Sequence, residues 1–239
     1  MVGKNAMKLL VAGCSFSDYC QVKKPYGEIL ASKLNVEYIH EGAGSGSNWR
    51  IWGKVIKYIL DGTITPDDLI LIQYTERTRN EFCSVLKRDN IHFGPSSFEM
   101  VAITDRFNND YSVLRYKLDS ATWQNTPEEK LFFSQYEKYF VVPEFAEEQF
   151  KVHNLMFQSM LARFKMRVIF IRSRRNPFMT DDEFLPEFLP YVFKDPIYKI
   201  EPYNLAPDDF GHMSQEGHEV FADWLYAHIN NTNILKNKL

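Results

Sequence analysis

Apolar residues gather in four short runs, each about as long as a strand: Lys8–Gly13, Val36–His40, Leu69–Tyr74 and Arg167–Arg172. They are rich in branched side chains, with Val168-Ile169-Phe170-Ile171 at the heart of the last. Continuous apolar runs of this length read as strands buried on both faces, the habit of parallel sheets. Tyr198–Glu201 is a further short candidate. Between the runs the period becomes helical. Tyr26–Leu34 follows Pro25, a residue suited to a helix start. Ser47–Leu60 repeats apolar residues at Ile51, Val55 and Ile59 and stops at Asp61-Gly62. Glu144–Phe164 is the longest, with Val152, Met156 and Met160 at spacing four as its apolar stripe. Ser214–Ile229 aligns Phe221, Leu225 and Ile229, with Ser214 placed to cap the helix.

Strands alternating with helices predict a three-layer α/β/α sandwich around a parallel, flavodoxin-like sheet of about five strands. In such sheets the ligand lies beyond the carboxyl ends of the strands, where the strand order reverses. Three strand exits carry chemistry there. Ser15 follows the first run, Gly42-Ala43-Gly44-Ser45-Gly46 the second, and Thr75 to Arg79 the third.

The periodicity weakens between about residues 83 and 141. That stretch is aromatic and polar, with Phe93, Phe98, Phe107, Tyr111, Tyr116, Trp123, Phe132, Phe133 and Tyr136. A structureless loop of this length is uncommon inside a compact domain, so it reads as an inserted cap with its own hairpin and short helices. Residues 1–239 are then one domain carrying one insertion.

Bulk properties narrow the classes. A formal net charge of −3 gives no basic field for nucleic acid. No apolar run approaches the roughly 18 residues of a membrane span. The three cysteines, Cys14, Cys20 and Cys83, have neither zinc spacing nor a disulfide framework, which points towards a reducing compartment. Met7 to Cys14 mimics a lipoprotein signal, but its apolar core of about six residues is shorter than the roughly 7–15 of a secretory segment. The expectation is a cytoplasmic or otherwise soluble protein, with virion association also open and the oligomeric state undetermined.

The chemistry-bearing residues lie at opposite ends of the chain. Gly13-Cys14-Ser15-Phe16-Ser17 puts a hydroxyl on the turn leaving the first strand. Asp209-Phe210-Gly211-His212 sets a carboxylate and an imidazole three residues apart, just before the last helix. A serine is inert at its own pKa and needs an adjacent base, which in turn needs a group to fix its tautomer. Ser15, His212 and Asp209 fill those three roles. A surface loop in which Asp209 caps a turn is the plainer reading of the second motif. Backbone N–H groups of Ser15 and Gly46 are candidate donors to an oxyanion, since glycine lets the main chain approach closely. A dinucleotide fingerprint fits less well, because Ser47 stands where its last glycine would fall. Arg77 and Arg79 are candidates for holding a substrate carboxylate or phosphate, or for pairing with Glu76 and Glu81. Arg172, Arg174 and Arg175 pose the same choice. His218 reads as a structural hydrogen-bonding residue, and Cys14 as core. A metal site of Asp209, His212 and His218 lacks a fourth ligand and a metalloprotease motif, so no metal and no cofactor is expected.

Gly13-Cys14-Ser15-Phe16-Ser17, the glycine loop running into Ser47-Asn48, and Asp209-x-x-His212 with Gly217-His218 together resemble the ordered blocks of the SGNH (GDSL-type) hydrolases. The resemblance spans the chain but rests on about twenty residues. It implies a serine esterase with Ser15 as nucleophile and a glycine and an asparagine as oxyanion donors. It also departs from the family pattern. Cys14 replaces the aspartate before the nucleophile, Glu41 the second block's asparagine, and Tyr74-Thr75-Glu76-Arg77 the third block's Gly-x-Asn-Asp. Asn48, Thr75 or an arginine then remain as substitutes for the missing amide donor. The activity expected is hydrolysis of an acyl ester, on a small-molecule or glycan substrate, with carbohydrate O-deacetylation first. Acyl transfer by the same triad, or a non-catalytic glycan-binding module with a degenerate site, are the alternatives.

Overall fold

The computed structural model describes residues 6–19, 22–42, 47–75, 80–84, 99–103, 143–172, 179–193 and 213–236. Five parallel strands form the central sheet: β1 (Lys8–Gly13), β2 (Glu37–Gly42), β3 (Leu69–Gln73), β6 (Arg167–Ile171) and the two-residue β7 (Val192–Phe193). Their order is β2-β1-β3-β6-β7, the doubly wound arrangement whose direction reverses between β1 and β3. The sequence runs named the first four. The fifth place falls to β7, and Tyr198–Glu201 lies outside the described residues.

Burial explains the absence of alternation. Leu9 to Ala12, Leu69 to Ile72 and Val168 to Ile171 are fully buried, because helices cover both faces of the sheet. Those helices are α1 (Tyr26–Leu34), α2 (Asn48–Leu60), α3 (Pro143–Arg163) and α4 (Gln215–Thr232). Ser47 and Ser214 cap α2 and α4, accepting from the N–H groups of Arg50 and Gly217 at 3.2 and 3.1 Å. A separate antiparallel pair, β4 (Asn80–Ser84) with β5 (Glu99–Ile103), follows β3 and begins ahead of the segment read as an insertion. The rest of that segment lies outside the described residues.

The stripe expected on α3 is corrected. Val152 and Met156 are exposed, whereas Phe150, Asn154, Phe157, Gln158 and Leu161 are buried. Two amides can occupy the inner face because each has backbone or phenol partners. Asn154 accepts from Tyr74 at 2.5 Å, and both Asn154 and Gln158 donate to the Glu183 carbonyl, at 2.7 and 2.8 Å. Gln158 also accepts from the Leu185 N–H at 2.8 Å. A buried polar group so satisfied escapes the desolvation penalty that normally keeps amides outside.

Helix α1 begins without a side-chain cap of its own, since Pro25 supplies none. Its first N–H, on Tyr26, goes instead to His218 Nδ1 at 2.9 Å, across 192 positions of sequence. The imidazole is buried and stacks on the Tyr26 ring, tying α4 to α1. The structural role expected for His218 is thus the one found. His218→Ala strands a buried donor and is expected to lower unfolding free energy by about 1–3 kcal/mol, read from urea denaturation. Glu219→Ala, an exposed neighbour, is the control and is expected to stay within about 0.5 kcal/mol.

Candidate active site

The carboxyl ends of β1, β2 and β3 meet where the strand order reverses. Ser15 opens a single 3-10 turn, Ser15–Ser17, directly after β1. The turn is closed by the Ser17 N–H donating to the Cys14 carbonyl at 2.9 Å. Two serines flank Phe16, and the structure gives the second one structural work. Ser17 is fully buried, and its hydroxyl bonds both Tyr26 Oη, at 2.8 Å, and Gln73 Oε1. Tyr26 reaches the same Gln73 oxygen at 3.3 Å. Burial pushes the Tyr26 phenol far above its ordinary range, so it keeps its proton and remains a donor. A relay therefore runs Tyr26 O–H, Ser17 O–H, Gln73 carbonyl, and it pins the turn to the end of β3.

Close approach of the turn explains two glycines. A Cβ on Gly13 would sit on Ser17 Oγ and 3.0 Å from Gln73 Cβ. One on Gly42 would lie 2.8 Å from the Ser17 carbonyl oxygen and 2.7 Å from His40 Nε2. That carbonyl also accepts from His40 Nε2 at 3.1 Å, with Asp18 at 3.6 Å from the same nitrogen. The turn carrying Ser15 is thus held from β3 on one side and β2 on the other. Cys14 is buried, in keeping with its reading as a core residue.

A second tie crosses from α2 to β3. Asn48, the first residue of α2, is buried and pairs with Thr75 like a base pair. Its Nδ2 donates to the Thr75 carbonyl at 3.2 Å, and its Oδ1 accepts the Thr75 N–H at 3.0 Å. Two residues singled out separately in the sequence therefore meet. The β1–β3 register pairs Ala12 with Ile72, so Ser15 and Thr75 each follow their paired residue by three positions.

Glu41, at the place of the second block's asparagine, serves as an anchor for α2. Its carboxylate accepts from Tyr58 at 2.6 Å and lies 3.5 Å from Arg50 and 3.4 Å from Lys54. The three partners are spaced four apart on one helix face. The bond to Glu41 and partial burial push the Tyr58 phenol up to about 12, so it stays a donor. Arg172, leaving β6, pairs with Asp181 at 2.5 Å, which answers the question posed for it in favour of an acid partner.

Gly46, Arg77, Arg79, Asp209 and His212 lie outside the described residues, as do Arg174 and Arg175. The residues missed from sequence are Gln73, Tyr26 and His40. Gln73 had a signal, being a polar residue closing an otherwise apolar strand. The other two had none, since their partners are distant in the chain. Among the described residues no cluster of three metal-ligating side chains occurs, and no helix is long and apolar enough to cross a membrane.

No family model and no curated relative matches the chain. Solved structures do. A candidate lipolytic protein of the G-D-S-L family from Desulfitobacterium hafniense matches at 12% identity and TM-score 0.38, covering 93% of this chain and 99% of that one. A candidate GDSL-like lipase from Parabacteroides merdae matches at 12% identity and TM-score 0.43, covering 97% of each. LAE5, an alpha/beta hydrolase enzyme from the metagenome of Lake Arreo, Spain, matches at 14% identity and TM-score 0.41, again over 97% of each.

Proposed function

We propose that this chain is a serine-dependent acyl-ester hydrolase. The observation that carries the reading is the position of Ser15, on a braced turn at the exit of β1, one of the two strands between which the sheet order reverses. Ser15 attacks the ester carbonyl through Oγ, giving its proton to His212, which Asp209 orients. The tetrahedral intermediate collapses as His212 returns that proton to the departing alkoxide, leaving an acyl-enzyme. Water, deprotonated by the same histidine, attacks the acyl carbonyl and releases the acid and Ser15.

The oxyanion takes backbone N–H groups of Ser15 and Gly46 and a side-chain N–H of Asn48. The Asn48 amide is held in place by its two bonds to the Thr75 backbone. Thr75's own N–H is spent on Asn48, so any donation from that residue falls to its hydroxyl. Arg77 and Arg79, following Thr75, bind polar groups of the substrate. The favoured substrates are acetylated carbohydrates and other small acyl esters.

A fluorophosphonate probe tests the reading directly. It is expected to modify Ser15 stoichiometrically, as read by peptide mass spectrometry, and to abolish hydrolysis of p-nitrophenyl acetate in parallel. Labelling of another residue, or none, rejects Ser15 as the nucleophile.

A further inference from the structure

We infer that Trp49 is a stacking platform for the sugar ring of an acylated carbohydrate, an assignment that rests on the reading of the site as a serine esterase. Trp49 is the second residue of α2, next to the Asn48 that reaches Thr75. Trp49 therefore lies in the first turn of the helix whose Asn48 reaches the β3 exit. Among the described residues it is the largest side chain that is half exposed, at 50%.

Its neighbours hold it rather than cover it. His153 of α3 packs against the indole with centroids 4.3 Å apart and planes at 58°. Trp52 meets it edge-on at 5.5 Å and 70°, and is itself buried against Phe150 and Phe157. Both contacts are oblique, and the side chain they hold stays half exposed. A half-exposed ring held in this way suits a particular kind of ligand. An acyl chain gains from enclosure on several sides, whereas a pyranose offers one face of C–H bonds and keeps its hydroxyls in water. The negative face of an aromatic ring attracts those polarised C–H groups. The remaining aromatic residues of this cluster are buried, which leaves Trp49 as the member able to meet a ligand.

β-D-Xylose tetraacetate and p-nitrophenyl acetate distinguish the assignment. Trp49→Ala is expected to lower kcat/KM on the acetylated sugar at least about tenfold more than on p-nitrophenyl acetate, chiefly through KM. Trp49→Phe is expected to recover most of that difference. Equal losses on the two esters overturn the platform, since they mark general damage to the site. The Ser15→Ala protein supplies a binding test without turnover. Its tryptophan fluorescence is expected to change saturably with the sugar ester, and the Trp49→Ala substitution in that background is expected to remove the change. Absence of a saturable change, or its survival without Trp49, also overturns the platform. Hydrolysis of p-nitrophenyl acetate that survives Ser15→Ala rejects instead the nucleophile, and leaves the binding test to decide the platform.

Discussion

Ser15→Ala is expected to reduce kcat for p-nitrophenyl acetate by at least about a thousandfold while leaving the unfolding transition in place. The contrast within one pentapeptide makes the experiment sharp. Ser17 stands two residues on and is also a serine, but its hydroxyl is sealed between Tyr26 and Gln73. Ser17→Ala removes a buried acceptor and donor at once, and its first effect is expected on stability, by about 1–3 kcal/mol. A nucleophile and a brace are thus separable by which quantity moves, kcat or the urea midpoint. His212→Ala is expected to match the Ser15→Ala loss, and the double variant to lose little more, because residues acting as one unit are not additive. Additive losses would mean that the two side chains act in different steps. Retention of most activity in Ser15→Ala would exclude the proposed chemistry.

The sheet was legible because it obeys a simple rule. Strands buried on both faces are apolar throughout, and Leu69 to Ile72 or Val168 to Ile171 admit hardly any other reading. The two-residue β7 had too little pattern to announce itself. Helix α3 misled for a physical reason. Spacing identifies an apolar face but not which face is buried, and the inner face here is lined partly by Asn154 and Gln158. Their partners, Tyr74 and the Glu183 carbonyl, come from elements that sequence periodicity does not connect. The site divides along the same line. Ser15 and the caps at Ser47 and Ser214 are local features, and local sequence displays them. The relay through Tyr26, Ser17 and Gln73 and the pairing of Asn48 with Thr75 are tertiary. Their members can be suspected singly, as Asn48 and Thr75 were, but only folding joins them.

That pairing bears the second large prediction. Asn48→Ala is expected to lower kcat by about a hundredfold or more, the usual loss when one oxyanion donor is removed. Two functions of the amide must be separated. One is the brace it forms on both backbone groups of Thr75, and the other is the oxyanion donation proposed for it. Asn48→Asp keeps the acceptor for the Thr75 N–H while deleting every N–H and adding a negative charge beside the oxyanion. If donation matters, the aspartate variant is at least as inactive as the alanine variant, even where its urea midpoint is the higher of the two. If bracing alone matters, the aspartate variant retains clearly more activity than alanine, and kcat follows stability. The sign of that difference, measured beside urea midpoints for both proteins, decides whether an amide presented from α2 has taken over the task of the asparagine missing after β3.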